Sequence, residues 1–147
     1  MVTANKKPTG HNVADDLMKS VSLRQTRQRR AVLETILNSC DHPCASIIYK
    51  RASKRLPGIS LATVYNCLET LAEKRLINQL NFDNGPSRFC PNLIPHVHVL
   101  DDSNNRVLDV KLKEGLRPED VFDIPEGVTI VRMDACLHGM IPEHALS

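Results

Sequence analysis

Between residues 26 and 74 the apolar positions recur every three to four residues, in three runs separated by short polar breaks. Ala31, Val32, Ile36 and Leu37 give the first run one buried stripe, and Thr26 stands where an N-cap belongs, so a helix is predicted over 26–39. Asp41, His42 and Pro43 interrupt it. The second run, 46–55, turns Ile47, Ile48 and Ala52 inward, and Leu56-Pro-Gly-Ile59 forms a turn. Ser60 then caps a third helix reaching about residue 74. Leu61, Val64, Leu68 and Leu71 lie on its buried face, with Thr63, Tyr65, Asn66 and Thr70 opposite. A shorter helix is predicted over 14–20.

The period changes beyond residue 75. Residues 76–80 and 87–90 read as two strands around a turn at 83–86, where Asn-Gly is a hairpin signal lengthened by the following Pro86. Helix, helix, capped helix, hairpin is the order of a winged helix. Pro91 and Pro95 bracket a hinge. Past it, 97–100 and 107–110 form a second hairpin, Pro118 opens a short helix, and 128–133 reads as a strand. The expected class is α+β. A winged helix-turn-helix domain covers 13–90, the hinge 91–95, and a small α/β domain 96–147, behind a disordered tail at 1–12.

Composition narrows the functions. With 41% hydrophobic and 24% charged residues the chain reads as soluble and globular. No apolar run spans a bilayer and the first residues lack a signal-peptide core, so the cytoplasm is expected and no membrane partner. Five cysteines, an odd number without a CxxC pair, argue against a disulfide framework. Aromatics at 3% leave no stacking platform for single strands. The net charge of +2 hides an asymmetry. Residues 1–60 hold 11 Lys/Arg against 4 Asp/Glu, whereas 91–147 hold 5 against 10. The front half attracts phosphate and the back half turns from it.

Two constellations carry chemistry. A helix N-terminus presented to a major groove reads base edges and favours a nearby phosphate. Ser60, Thr63, Tyr65 and Asn66 are so placed on the third helix, Asn66 suiting adenine, with Arg24, Arg27, Arg29 and Arg30 available for the backbone. The same pattern also fits a solvated face on a small helical bundle. The second constellation is His96-Val-His98, whose i, i+2 spacing puts two imidazoles on one side of a strand, with Cys90 six residues earlier and Asp109 on the paired strand. His42 would have to come from the DNA-binding half. Cys40 with Cys44, the Cys90-Pro91 pair as a haem ligand, and Cys136 with His138 are weaker candidates. No HExxH or nucleophile motif is present and little chain remains for a pocket, so an enzyme is not expected.

The segments LRQTRQRRAVLETI, HPCASIIYKRA, PGISLATVYNCLETLAEKRLI and GPSRF resemble, in order and spacing, the ferric uptake regulator family of dimeric, metal-sensing winged-helix repressors. The resemblance is specific from Leu23 to Phe89 and readable to Asp109. It implies that Tyr65 and Thr63 contact bases of a double-stranded operator and that Arg24 and Arg29 approach phosphate or the minor groove. It implies a homodimer formed by the C-terminal domain, and one divalent ion per subunit on His42, Cys90, His96, His98 and Asp109. A thiolate among imidazoles favours Zn²⁺ over Fe²⁺ or Mn²⁺. Many members also hold a structural zinc on two CxxC pairs. Asp101, Asn104, Ile141 and His144 stand at those positions here, so that zinc is expected to be absent, and Met133 replaces a usual histidine. The expected function is a metal-responsive transcriptional regulator, a repressor with metal as corepressor. The alternatives are a redox- or haem-responsive regulator acting through Cys90, or a constitutive DNA binder of the same fold.

Overall fold

The computed structural model describes residues 11–83 and 85–146. The chain divides into two compact units, Met1–Leu93 and Ile94–Ser147. The first holds helices α1 (His11–Ser20), α2 (Arg27–Leu37), α3 (Ala45–Arg55) and α4 (Leu61–Glu73), then strands β1 (Asn78–Leu80) and β2 (Arg88–Cys90). The second holds β3 (His96–Asp101), β4 (Arg106–Lys111), β5 (Cys136–His138) and two 3₁₀ turns, Pro118–Asp120 and Glu143–Leu146. The architecture is α+β, with helices and a two-stranded hairpin in one unit and a three-stranded sheet in the other.

Three of the four helices described in the first unit start or stop for a local reason. The Thr26 hydroxyl accepts the Arg29 backbone N–H at 3.2 Å and the Ser60 hydroxyl accepts that of Thr63 at 3.1 Å, so both predicted N-caps form. α1 and α4 end alike. Ser22 and Arg75 take positive φ (+55° and +56°), and the N–H groups of Leu23 and Leu76 return to the carbonyls of Met18 and Leu71. This is a Schellman closure made without glycine. The helices bury Met18, Leu33, Ile36, Ile48, Leu68 and Leu71 together with Ile77 and Phe89 from the hairpin. β1 and β2 pair antiparallel, Asn78 opposite Cys90.

In the second unit the order is β4-β3-β5, antiparallel between β3 and β4 and parallel between β3 and β5. β3 is central and buried along most of its length. At its end the Asp101 carboxylate gathers four donors: the Ser103 N–H and hydroxyl, the Asn104 amide at 3.1 Å and the Ile141 N–H at 2.9 Å. The Ile141 N–H and then the Ser103 hydroxyl hold the Asp101 carboxyl below the usual carboxylate range. Asp101, Asn104 and Ile141 stand where the resemblance places ligands of a structural zinc, and here hydrogen bonds join them.

Several expectations need correction. His11 and Asn12 belong to α1, so the irregular tail does not reach residue 12; residues 1–10, and Asn84 of the predicted turn, lie outside the described residues. Leu61 is 42% exposed rather than buried, because the first residue of α4 projects past the end of the core. Pro118 opens only a single 3₁₀ turn. Residues 128–133 form no strand: β3 already has a neighbour on each side, and Val128 and Val131 are exposed. The third strand is instead the short β5. Among the described residues no helix is long and apolar enough to cross a membrane.

Candidate DNA-reading face and metal half-sites

α4 buries Val64, Cys67, Leu68 and Leu71. That packing leaves Tyr65 (55% exposed) and Asn66 outward near the capped end. Thr63 is half-buried, and its hydroxyl lies 2.8 Å from that of Ser60, so it supports the cap as well as facing outward. Arg24 is exposed, and Arg29 donates through Nη1 to the Arg24 carbonyl at 2.9 Å, which orients its guanidinium. Arg30, expected beside them, instead donates through Nε to Asp15 of α1 at 2.8 Å and braces the bundle. An open cavity of about 440 Å³ adjoins α4, with Ser46, Tyr65, Asn66, Glu69, Gln79 and Ser87 among its lining. Glu69, Gln79 and Ser87 were not singled out in the sequence. The hairpin's even polar spacing was the available signal. Gln79 donates to Asn81 at 3.1 Å and to Ser87 at 3.2 Å, which stiffens the hairpin.

The predicted metal ligands gather within each unit. In the first, the Phe89 N–H donates to the Pro43 carbonyl at 3.1 Å and Cys44 pairs with Arg88. This backbone link brings a ring nitrogen of His42 within 4.8 Å of the Cys90 sulfur. His42 is 7% exposed with φ at +48°, and Cys90 is fully buried, its Sγ accepting the Asn92 N–H at 3.4 Å.

In the second unit strand register does the same work. His98 sits directly opposite Asp109, and His96 shares its face two residues away. His96 Nδ1 lies 2.6 Å from the Ile94 carbonyl, which can only accept, so Nδ1 donates and Nε2 is the nitrogen turned to the other donors. That Nε2 lies 3.0 Å from His98 Nε2, and the two lie 3.6 and 3.1 Å from Asp109 Oδ1. Tetrahedral ligands at the usual zinc–nitrogen distance stand about 3.3 Å apart. Three donors with this spacing, two imidazoles and a carboxylate, therefore fit a small divalent cation. A carbonyl accepting from the far ring nitrogen, as Ile94 does for His96, is also the usual orienting partner of a ligating histidine.

The remaining candidates are accounted for differently. His138 Nδ1 lies 2.8 Å from Asp102, and Cys136 is exposed, with burial of its sulfur the largest influence pushing its thiol up. Among the described residues no disulfide joins any of the five cysteines. Cys67 packs in the core of the first unit, where burial raises its thiol.

The chain is similar in sequence and fold to known proteins. Over 94 residues the chain is 35% identical to the peroxide operon regulator of Bacillus subtilis, a match covering 64% of this chain. The chain spans 65% of that protein's length. It is 27% identical over 110 residues to the peroxide-responsive repressor PerR of Staphylococcus epidermidis, covering 74% of this chain and 73% of that one. Its fold matches the ferric uptake regulator of Vibrio cholerae with a TM-score of 0.69 at 22% identity, over 86% of this chain and 98% of the other. The sequence profile of the ferric uptake regulator family matches residues 20–135, so the chain belongs to the ferric uptake regulator family.

Proposed function

We propose that this chain is a metal-responsive DNA-binding transcriptional regulator, a repressor that takes one divalent ion per subunit as corepressor. The observation that carries the reading is the convergence of His96, His98 and Asp109 on one point of the second unit. The pairing of His42 with Cys90 in the first unit supports it. Residues 13–90 act as the winged-helix reader, 91–95 as the hinge and 96–147 as the homodimerising sensor. Tyr65 and Asn66 meet bases, with Thr63 and Ser60 at the helix end, and Arg24 and Arg29 meet the backbone. The place of action is the cytoplasm, with the DNA.

His96, His98 and Asp109 in the second unit, and His42 and Cys90 in the first, are the residues that would hold the ion, which would supply a positive charge that fixes the donors it binds. In a homodimer the two α4 helices would have to stand about 34–36 Å apart, or a multiple of that, to reach two half-sites on one DNA face. The response is a difference in metal affinity between DNA-competent and other states. The Cys90 thiolate favours Zn²⁺ over Fe²⁺ and Mn²⁺. The relatives named as a peroxide operon regulator and a peroxide-responsive repressor bring peroxide as an alternative cue. A haem or direct redox response through Cys90 is disfavoured by its complete burial.

Anaerobic titration of the purified protein and Cys90→Ser with Zn²⁺, Fe²⁺ and Mn²⁺ tests the reading, alongside binding to a duplex selected from a random pool. One tight Zn²⁺ per subunit, weakened in Cys90→Ser, and DNA binding that requires it are expected. The double variant His96→Ala, His98→Ala loses the metal response and keeps a folded first unit. A retained metal response in that variant rejects the site, and metal-independent DNA binding by the parent protein identifies a constitutive binder.

A further inference from the structure

Arg51, on α3, is tied to the turn that carries His42. Its Nη1 and Nη2 donate to the two oxygens of Asp41 at 2.8 and 2.6 Å, and Nη1 also donates to the Ser39 hydroxyl at 3.0 Å. A guanidinium fork on a carboxylate fixes direction as well as distance, which a single charge does not. The Ser39 hydroxyl in turn donates to the Thr35 carbonyl at 2.7 Å, so the clamp is anchored on α2 as well. On the other side of His42, the Pro43 carbonyl is held by the Phe89 N–H. His42 lies between these two fastenings at φ +48°, a backbone conformation that a non-glycine residue keeps only where its surroundings impose it.

We infer that Arg51 and Asp41 are positioning residues for metal binding, holding His42 in its ligating conformation without touching the ion. The inference rests on the reading of His42 as a ligand. The two side chains are 40% and 56% exposed and border an open cavity of about 620 Å³, so their pairing adds little to folding and is open to salt. Its consequence lies in the ligand instead. Loss of an orienting partner typically weakens metal binding 10–100-fold. Charge alone predicts the opposite for one variant. Removing the Arg51 cation near a bound cation relieves repulsion and strengthens binding, whereas loss of positioning weakens it.

The test measures Zn²⁺ affinity of the full chain by competition with a chromophoric chelator. Arg51→Gln, Arg51→Lys, Asp41→Asn and His42→Ala are compared, with thermal unfolding of each metal-free protein. We expect His42→Ala to weaken binding, and Arg51→Gln and Arg51→Lys to weaken it about tenfold or more at an unfolding temperature near that of the parent. Adding Arg51→Gln to His42→Ala costs nothing further, since the clamp acts only through that ligand. Unchanged or tighter binding in Arg51→Gln, with His42→Ala still defective, overturns the inference and leaves His42 a ligand. Unchanged binding in His42→Ala overturns both.

Discussion

Ser60 offers a way to separate what holds α4 from what α4 reads. Its hydroxyl accepts the Thr63 N–H at 3.1 Å and lies 2.8 Å from the Thr63 hydroxyl. Ser60→Ala removes both contacts. Loss of such a cap costs about 0.5–2 kcal/mol, and water can reach this exposed position, so about 0.5–1 kcal/mol is expected. A unit of this size shifts by roughly 4–8 °C per kcal/mol, so the unfolding midpoint should fall by about 2–8 °C. Ser60→Asp is the informative partner. Aspartate caps as well as serine, and its charge gains about 0.3–1 kcal/mol from the helix dipole, so stability should hold or rise. In the proposed complex the same carboxylate would meet phosphate, and like charges about 4 Å apart in water repel by about 1 kcal/mol, or about fivefold in affinity. Urea unfolding and DNA titration at fixed salt measure the two effects separately. An Ser60→Asp protein that is stable and binds DNA as well as the parent would refute the placement of this helix end against phosphate. An unchanged midpoint in Ser60→Ala would refute the cap.

Other outcomes follow from the same structure. Leu71→Ala, at a fully buried site in the first unit, should lower unfolding free energy by about 2–5 kcal/mol in urea titration. Arg29→Ala should weaken binding to all DNA sequences alike and reduce the salt slope by about one unit, measured by titration at several ionic strengths. Asp101 has a depressed folded pKa, so its stabilisation is present above the unfolded value of about 3.9 and is lost as pH falls through the folded value. Asp101→Asn should therefore be less stable than the parent at neutral pH, and the gap should close in acid, as thermal unfolding between pH 7 and pH 3 will show.

The helices were legible because their signals are local: Thr26 and Ser60 precede stripes of period 3.6, and each hydroxyl reaches only three residues ahead. His98 and Asp109 were legible as a pair because a hairpin's register follows from its turn, and they are cross-strand partners. The illegible parts depend on distant chain. Residues 128–133 have strand-like composition, but a strand exists only with a neighbour, and β3 takes the three-residue β5 instead. The ends of α1 and α4 use Ser22 and Arg75 where sequence rules look for glycine. Arg30 looked like a DNA contact until Asp15, fifteen residues away, claimed it. Arg51 gave no signal at all, since its importance lies in a partner ten residues back.

Asp101 has a consequence for how such a protein withstands starvation for metal. The ties from the β3 end to Asn104 and to Ile141 are a carboxylate's hydrogen bonds, which a chelator cannot extract. If His96, His98 and Asp109 bind an ion as proposed, its loss would leave the C-terminal segment fastened, and the folded protein would stand ready to refill without being made anew.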